Sequence, residues 1–233
     1  MRLPIFITNA KNYEASIGNA VLLLTQAHET VAKATGSSLA IAVNPIDLEK
    51  VASNAEIPVF AQHVDAIDYG SHTGWIHPAS VANAGIPCTL LNHSEHRLPQ
   101  DQVQAHIEAA FKSGLGVILC AESELEVEKF ALMYQSLTLD TYPLPPEFAI
   151  AYEPPELIGS SDKSVASENP DIIKKSVALA GDIPLIVGAG VNNPEDIHVA
   201  LKLGAQGFLV ASAICKAENP EAALMALVSA MSA

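Results

Sequence analysis

Basic side chains are scarce in this chain. Its 233 residues include 12 Lys and Arg against 26 Asp and Glu, which gives a formal net charge of −14. Because a phosphate backbone or an anionic bilayer surface would repel such a protein, the composition argues against nucleic acid and membrane as partners. One lysine and a few backbone N–H groups can still hold a single phosphate in an acidic protein, since the field of the site is short-ranged in salt.

Cysteines and long apolar runs are also few. Cys88, Cys120 and Cys215 are an odd number and lie far apart, each in or beside an apolar segment. This pattern favours buried free thiols over a disulfide framework or a metal cluster. No apolar run reaches the roughly 18 residues that span a bilayer, and the amino-terminal segment turns polar too early for a signal-peptide core. We therefore expect a cytoplasmic protein.

Short apolar or β-branched segments alternate with longer segments of helical spacing, and eight such pairs follow one another. Several of the short segments are apolar throughout, as strands buried on both faces of a parallel sheet are. Eight pairs predict a (β/α)8 barrel as one domain over residues 1–233, because open doubly wound sheets usually have roughly five or six strands. The predicted strands cover residues 3–9, 39–44, 57–63, 86–92, 115–120, 148–153, 183–189 and 207–212.

Capping signals predict where the helices begin and end. The first long helical segment ends at Gly36 and places five residues on one face: Ile17, Val21, Leu24, His28 and Val31. Four asparagine–proline pairs predict helix starts, with asparagine as the cap and proline in the first turn: Asn44-Pro45, Asn169-Pro170, Asn193-Pro194 and Asn219-Pro220. Residues 64–80 read as a long loop followed by a short helix.

Polar side chains gather at the predicted carboxyl ends of the strands, where barrel enzymes carry their chemistry. The densest group is "NHSEHR" at 92–97, which by itself is compatible with a metal site, a Ser-His-acid triad, an acid/base pair or a polar loop. A triad of His93, Ser94 and Glu95 fails because sequence neighbours point to different sides. We also expect no metal: the first strand offers Asn and Lys instead of His-x-His, and no histidine pair in this region has i, i+4 spacing. The histidines weighed for a metal were His63, His72, His77, His93 and His96.

Six motifs in order resemble the archaeal-type triosephosphate isomerase family, from residue 5 to about residue 217. They are "NAK" at 9–11, "AQHVD" with "GSHTG" at 61–65 and 70–74, "NHSEHR" at 92–97, "AYEPPELIG" at 151–159, "VGAGV" at 187–191 and "LVASAICKA" at 209–217. The resemblance implies a cofactor-free interconversion of dihydroxyacetone phosphate and D-glyceraldehyde 3-phosphate through an enediolate, in glycolysis and gluconeogenesis.

The same resemblance implies roles for individual residues. Glu153 would be the base that moves the proton, and His93 would donate a hydrogen bond to the carbonyl oxygen as a neutral imidazole, its pKa lowered by a helix N-terminus. Lys11 would supply positive charge, and Glu95 would support it. The positions expected to bind substrate are Asn9, Lys11, Ile158, Gly159, Gly190, Ala211 and Ser212.

Two other functions are compatible with a phosphate-binding barrel. One is a different isomerase of a sugar phosphate, and the other is a non-catalytic sugar-phosphate binder. The presence of Lys11, His93 and Glu153 together argues against both. The resemblance further implies a homo-oligomer, at least a dimer through the loop around Thr73, and the short chain with archaeal-style loops favours a tetramer.

Overall fold

The computed structural model describes residues 1–142, 146–154 and 170–231. Eight parallel strands pair in chain order, and the last pairs with the first to close a barrel. The predicted (β/α)8 fold is thereby confirmed. The strands are β1 Ile5–Asn9, β2 Ser38–Val43, β3 Val59–Ala61, β4 Cys88–Leu91, β5 Gly116–Ala121, β6 Phe148–Tyr152, β7 Leu185–Val187 and β8 Gly207–Val210.

Proline sets the start of three strands. β3, β4 and β7 each begin directly after a proline, at Pro58, Pro87 and Pro184. Proline has no N–H to give to the ladder, but its carbonyl still accepts. Pro184, for example, accepts from the Ile150 N–H at 3.0 Å. The regular strands are therefore a few residues shorter at this end than the apolar runs that predicted them.

Nine α-helices are seen in the described part of the chain, and they pack outside the barrel or at its rim. They are α1 Asn19–Thr35, α2 Leu48–Ala52, α3 Pro78–Asn83, α4 Val103–Lys112, α5 Glu124–Gln135, α6 Pro170–Ala180, α7 Pro194–Lys202, α8 Ser212–Cys215 and α9 Pro220–Ser229. The expected long loop followed by a short helix is observed, but the loop ends earlier than the predicted residue 80, because the six-residue α3 already begins at Pro78.

The first helix follows its predicted apolar face except at its start. Four of the five predicted positions are buried in α1, and Gly36 ends the helix in the left-handed conformation, as predicted. The prediction that Ile17 lies on the buried face of this helix was wrong, because Ile17 precedes the helix and is 43% exposed. Gly18, at φ 61°, turns the chain there, so α1 begins only at Asn19.

Two of the four predicted asparagine caps are confirmed. Asn193 forms a capping box with Asp196, and Asn219 accepts from the Ala222 N–H at 3.0 Å. The prediction that Asn44 caps a helix was wrong. Its side chain accepts a hydrogen bond from the N–H of Ile46 in a turn, and α2 starts only at Leu48. Asn169 lies outside the described residues.

Two buried layers hold the barrel together. One fills its interior with residues that alternate along the strands, from Ile5 and Ile7 on β1 to Ala149 and Ala151 on β6. The larger layer lies between the strands and the surrounding helices. Each fully buried Leu, Ile or Phe side chain contributes about 1.5–3 kcal/mol to stability. This packing leaves polar side chains at the carboxyl rim, where the strands end.

Cys88, Cys120 and Cys215 are buried free thiols, as predicted. In residues 1–142, 146–154 and 170–231, no helix has both the length and the apolar character to cross a bilayer.

Candidate active site

A pocket of about 190 Å³ opens at the carboxyl ends of the strands. Every described residue that the sequence predicted for the site lines this pocket: Asn9, Lys11, His93, Glu95, Glu153, Gly190, Ala211 and Ser212. They come from the ends of β1, β4, β6, β7 and β8. Ile158 and Gly159, the other two predicted positions, lie outside the described residues. The barrel thus brings together groups that are up to two hundred residues apart in sequence.

Lys11 provides the cation of the pocket. Its backbone adopts a positive φ of 49°, and its N–H donates to the side-chain oxygen of Asn9 at 3.1 Å. The Nζ atom lies 2.7 Å from Oε1 of Glu95, whose side chain is 59% exposed while that of Lys11 is 14% exposed. An ion pair with so exposed a partner adds little to stability. Both side chains line the pocket.

His93 is held as a neutral imidazole. Its Nδ1 accepts a hydrogen bond from the backbone N–H of Glu95 at 3.1 Å, so the ring proton is placed on Nε2. Burial, together with the smaller effect of the positive charge of Lys11, lowers the pKa of His93 to about 4. The sequence predicted that a helix N-terminus would lower this pKa. That prediction was wrong, because His93 is followed by a turn and the next helix begins at Val103.

Glu153 follows β6 and is 4% exposed. Burial raises the pKa of its carboxyl group to about 7, against smaller lowering effects of the Cys120 thiol and of the Lys11 charge. Its Oε2 atom has no hydrogen-bond partner among the described residues. The Oε1 atom lies 3.7 Å from Nε2 of His93. A basic carboxylate therefore faces a neutral imidazole donor.

Gly188 leaves the space that Glu153 occupies. A Cβ at this position would lie 2.4 Å from Cγ of Glu153 and 3.0 Å from its Cδ. Since non-bonded carbon atoms pack at about 3.5–4.0 Å, any side chain here would displace the carboxylate. The Gly188 N–H also donates to the Tyr152 carbonyl at 2.9 Å, which ties the loop after β7 to the end of β6.

This constellation was compared with known proteins. A family model described as triosephosphate isomerase matches residues 4–231. The chain belongs to the triosephosphate isomerase family. The triosephosphate isomerase of Methanoculleus marisnigri is 38% identical over 98% of this chain and 99% of its own length. The enzymes so named from Metallosphaera sedula and Methanobacterium bryantii are 36% and 37% identical, over 98% and 97% of this chain and 96% of each relative. These relatives are archaeal, as the resemblance of the motifs indicated.

Gln62 is a residue of this family member's site that sequence reasoning missed. It follows β3, and its amide nitrogen donates to the backbone carbonyls of Lys11 at 3.1 Å and Ala42 at 3.2 Å. The amide thus ties the loop that carries Lys11 to the second strand. The only sequence signal was a lone amide at the end of an apolar strand, which is too common a feature to be informative.

Asn92 is a second residue that was missed, and it sets the direction of the chain at His93. Its φ is 60°, a left-handed conformation that asparagine tolerates better than most residues. The side chain accepts from the Leu98 N–H at 3.0 Å and donates to the Cys120 carbonyl at 2.9 Å. Arg97, which follows in the same loop, forms ion pairs with Glu122 and Glu126.

Proposed function

We propose that this member of the triosephosphate isomerase family interconverts dihydroxyacetone phosphate and D-glyceraldehyde 3-phosphate by proton transfer through an enediolate. The observation that carries the proposal is the 3.7 Å approach of Glu153 Oε1 to His93 Nε2 in a pocket also lined by Lys11. The reaction needs a base beside a carbon atom and a hydrogen-bond donor beside the neighbouring oxygen. These groups meet both needs.

Glu153 is the proposed base. With a pKa of about 7, it is a stronger base than an ordinary glutamate and is still substantially ionised at neutral pH. The carboxylate removes the proton from the carbon next to the carbonyl. The electron pair of that C–H bond forms the carbon–carbon double bond of the enediolate, and the π electron pair of the carbonyl moves onto its oxygen. The hydroxyl proton passes from its oxygen to the former carbonyl oxygen, and a carbonyl forms at the oxygen that lost it. The electron pair of the carbon–carbon double bond takes up the proton of the carboxylic acid at the former carbonyl carbon, which regenerates the carboxylate.

His93 and Lys11 are the proposed stabilisers of the enediolate. The Nε2–H of His93 donates to the oxygen on which negative charge develops, and a pKa of about 4 keeps the ring neutral. Lys11 supplies a full positive charge to the enediolate and the phosphate. Glu95 holds that ammonium group in place through the 2.7 Å ion pair. Asn9 fixes the backbone of Lys11.

Backbone N–H groups are the proposed phosphate site. Gly190 has a φ of 63°, which few other residues adopt, and Ala211 and Ser212 stand at the start of α8. All three line the pocket. The resemblance assigns Ile158 and Gly159, outside the described residues, to the lid over the substrate. A phosphate held this way needs no cluster of basic side chains.

A purely sugar-phosphate-binding protein fits these observations less well. Such a protein gains nothing from a carboxylate buried in an anion site, because the charge opposes ligand binding and its burial costs stability. The raised pKa of Glu153 is instead what a general base needs. The same argument disfavours an isomerase whose chemistry does not use this base.

We propose further that the chain is one barrel domain in the cytoplasm and that it assembles with copies of itself. The assembly is at least a dimer, and the short chain with archaeal-style loops favours a tetramer. Thr73 lies between two large exposed aromatics, Tyr69 at 82% and Trp75 at 58% exposed. Exposed aromatic surface of this kind is typical of an interface. Light scattering coupled to gel filtration measures the mass directly, and a monomer at micromolar concentration would contradict the proposal.

The function is tested by a coupled assay of the purified protein with D-glyceraldehyde 3-phosphate, with and without a chelator. We expect activity in both, and Glu153→Gln should lower kcat by a factor of about 10³ or more. Lys11→Met should weaken binding of a phosphate-bearing ligand as well. The matched control is Glu195→Gln, an exposed glutamate on α7. Wild-type turnover in Glu153→Gln, or loss of activity with chelator in a protein that circular dichroism shows to be still folded, would overturn the mechanism.

A further inference from the structure

Three imidazoles and a carboxylate meet between α4 and the loops that follow β3 and β4. His63 lies two residues after β3, and its Nε2 is 3.3 Å from Oδ1 of Asp65. The ring of His106, on α4, is centred 5.8 Å from that of His63. The ring of His96, in the loop after β4, is centred 4.2 Å from that of His63. One nitrogen or oxygen atom from each of His63, Asp65 and His106 falls within 4.8 Å of the others.

Hydrogen bonds behind the cluster orient its side chains. Nδ1 of His106 pairs with the carbonyl of Gln102 one turn earlier in the chain, at 2.8 Å, which leaves Nε2 as its second nitrogen. Oδ2 of Asp65 accepts from the Ile76 N–H at 2.6 Å, and the Asp65 N–H donates back to the Ile76 carbonyl at 2.9 Å. Metal-binding histidines and carboxylates typically have such outer partners, because these fix the tautomer and the direction of the lone pair.

We propose that His63, Asp65 and His106 form a binding site for a divalent transition-metal cation of the zinc class. Two imidazoles and one carboxylate are a ligand set that Zn²⁺ accepts, with water or a further histidine in the fourth position. His96 packs against the ring of His63 but is not among the groups within 4.8 Å of one another, so water would take the fourth position. His63 and His106 are 6% and 5% exposed, so the cation would be largely shielded from solvent.

The required adjustment is small. Ligand atoms at about 2.1 Å from a tetrahedral Zn²⁺ lie roughly 3.4 Å apart. His63 and Asp65 are already at 3.3 Å, and the remaining separations, at most 4.8 Å, need to close by about 1.4 Å or less. A slight approach of the loop that carries His63 and Asp65 toward α4 would achieve this and would keep the hydrogen bond between His106 and Gln102. The site needs no change in the course of the strands.

The cation would have a structural role and would stabilise the fold. It would link the β3–α3 loop to α4, beside the loop that carries His93, where the His96 N–H donates to the His93 carbonyl at 2.8 Å. None of His63, Asp65 and His106 is among the described residues that line the pocket of Glu153. The expectation of no metal rested on histidines near the strand ends. His106 on α4 did not enter that argument, because only the fold places it there.

The experiment uses the full-length protein freed of metal with a chelator and then dialysed. Titration with Zn²⁺ by calorimetry should give one site per chain with a Kd of about 10 µM or tighter. Zinc at a hundredfold excess over Kd should raise Tm by roughly 5–10 °C. Co²⁺ should develop the visible absorption of a tetrahedral complex. We expect His106→Gln to weaken binding at least tenfold, while His198→Gln on α7, outside the cluster, leaves it unchanged.

Two results would overturn the proposal. One is a wild-type protein that takes up no stoichiometric metal. The other is equal affinity in His106→Gln and His198→Gln, which would place the bound metal elsewhere. Circular dichroism shows whether His106→Gln is folded; if it is not, Asp65→Asn, which keeps the shape of the carboxylate, must show the same loss. Binding is the readout, so the result is independent of isomerase activity.

Discussion

Gly188→Ala is the substitution with the sharpest expected effect, because it adds one methyl group directly against Glu153. The new Cβ would lie 2.4 Å from Cγ of Glu153, whereas carbon atoms pack at about 3.5–4.0 Å. The side chain of Glu153 must therefore move by about 1 Å or more. A displacement of this size in a reacting group costs about 10²-fold in rate, equivalent to about 2.7 kcal/mol of transition-state stabilisation.

The assay is the steady-state isomerisation of D-glyceraldehyde 3-phosphate, read as kcat and KM. We expect kcat to fall about a hundredfold and KM to change much less, because the phosphate contacts remain. Gly207→Ala is the matched control: its Cβ would lie 2.7 Å from the Ile5 carbonyl oxygen, at the other end of the barrel. It should lower Tm by several degrees and leave kcat intact. A Gly188→Ala enzyme with kcat within twofold of wild type would refute the reasoning.

Three further outcomes follow from the same site. Glu153 acts as a base only when ionised and its pKa is about 7, so kcat/KM, corrected for the phosphate ionisation of the substrate, should rise with pH through about 7; a profile flat from pH 6 to 8 would contradict this. A buried acid with a raised pKa destabilises the fold above its unfolded pKa of 4.5, and the cost is complete above the folded pKa of about 7. Glu153→Gln should therefore raise the free energy of unfolding by about 3 kcal/mol at pH 8 and by little at pH 4, as urea titrations would measure. Asn92→Ala removes the hydrogen bonds to Leu98 and Cys120 and leaves a positive φ, so it should lower the free energy of unfolding by about 2–3 kcal/mol. Asn92→Gly relieves the backbone strain and should lower it less; equal losses in the two variants would show that the backbone conformation is unimportant.

The barrel was predictable because each of its strands is a short apolar run with a clear boundary. Proline at three strand starts and capping residues such as Asn193 are local signals. Such signals can be recognised in a short stretch of sequence without knowledge of the fold. The prediction failed where a local signal had two structural outcomes. Asn44-Pro45 is compatible with either a helix cap or a turn, and the contacts of the fold selected the turn.

The sequence by itself determined the fold and the chemical groups at the strand ends, Lys11, His93 and Glu153 among them, because strand order and the residue after each strand are properties of the chain. Only the tertiary structure decided how those groups behave. The pKa of His93 near 4 and of Glu153 near 7 arises from burial, and the space beside Gly188 from a contact across two loops. Burial and contact depend on residues far apart in sequence, so no local pattern reports them.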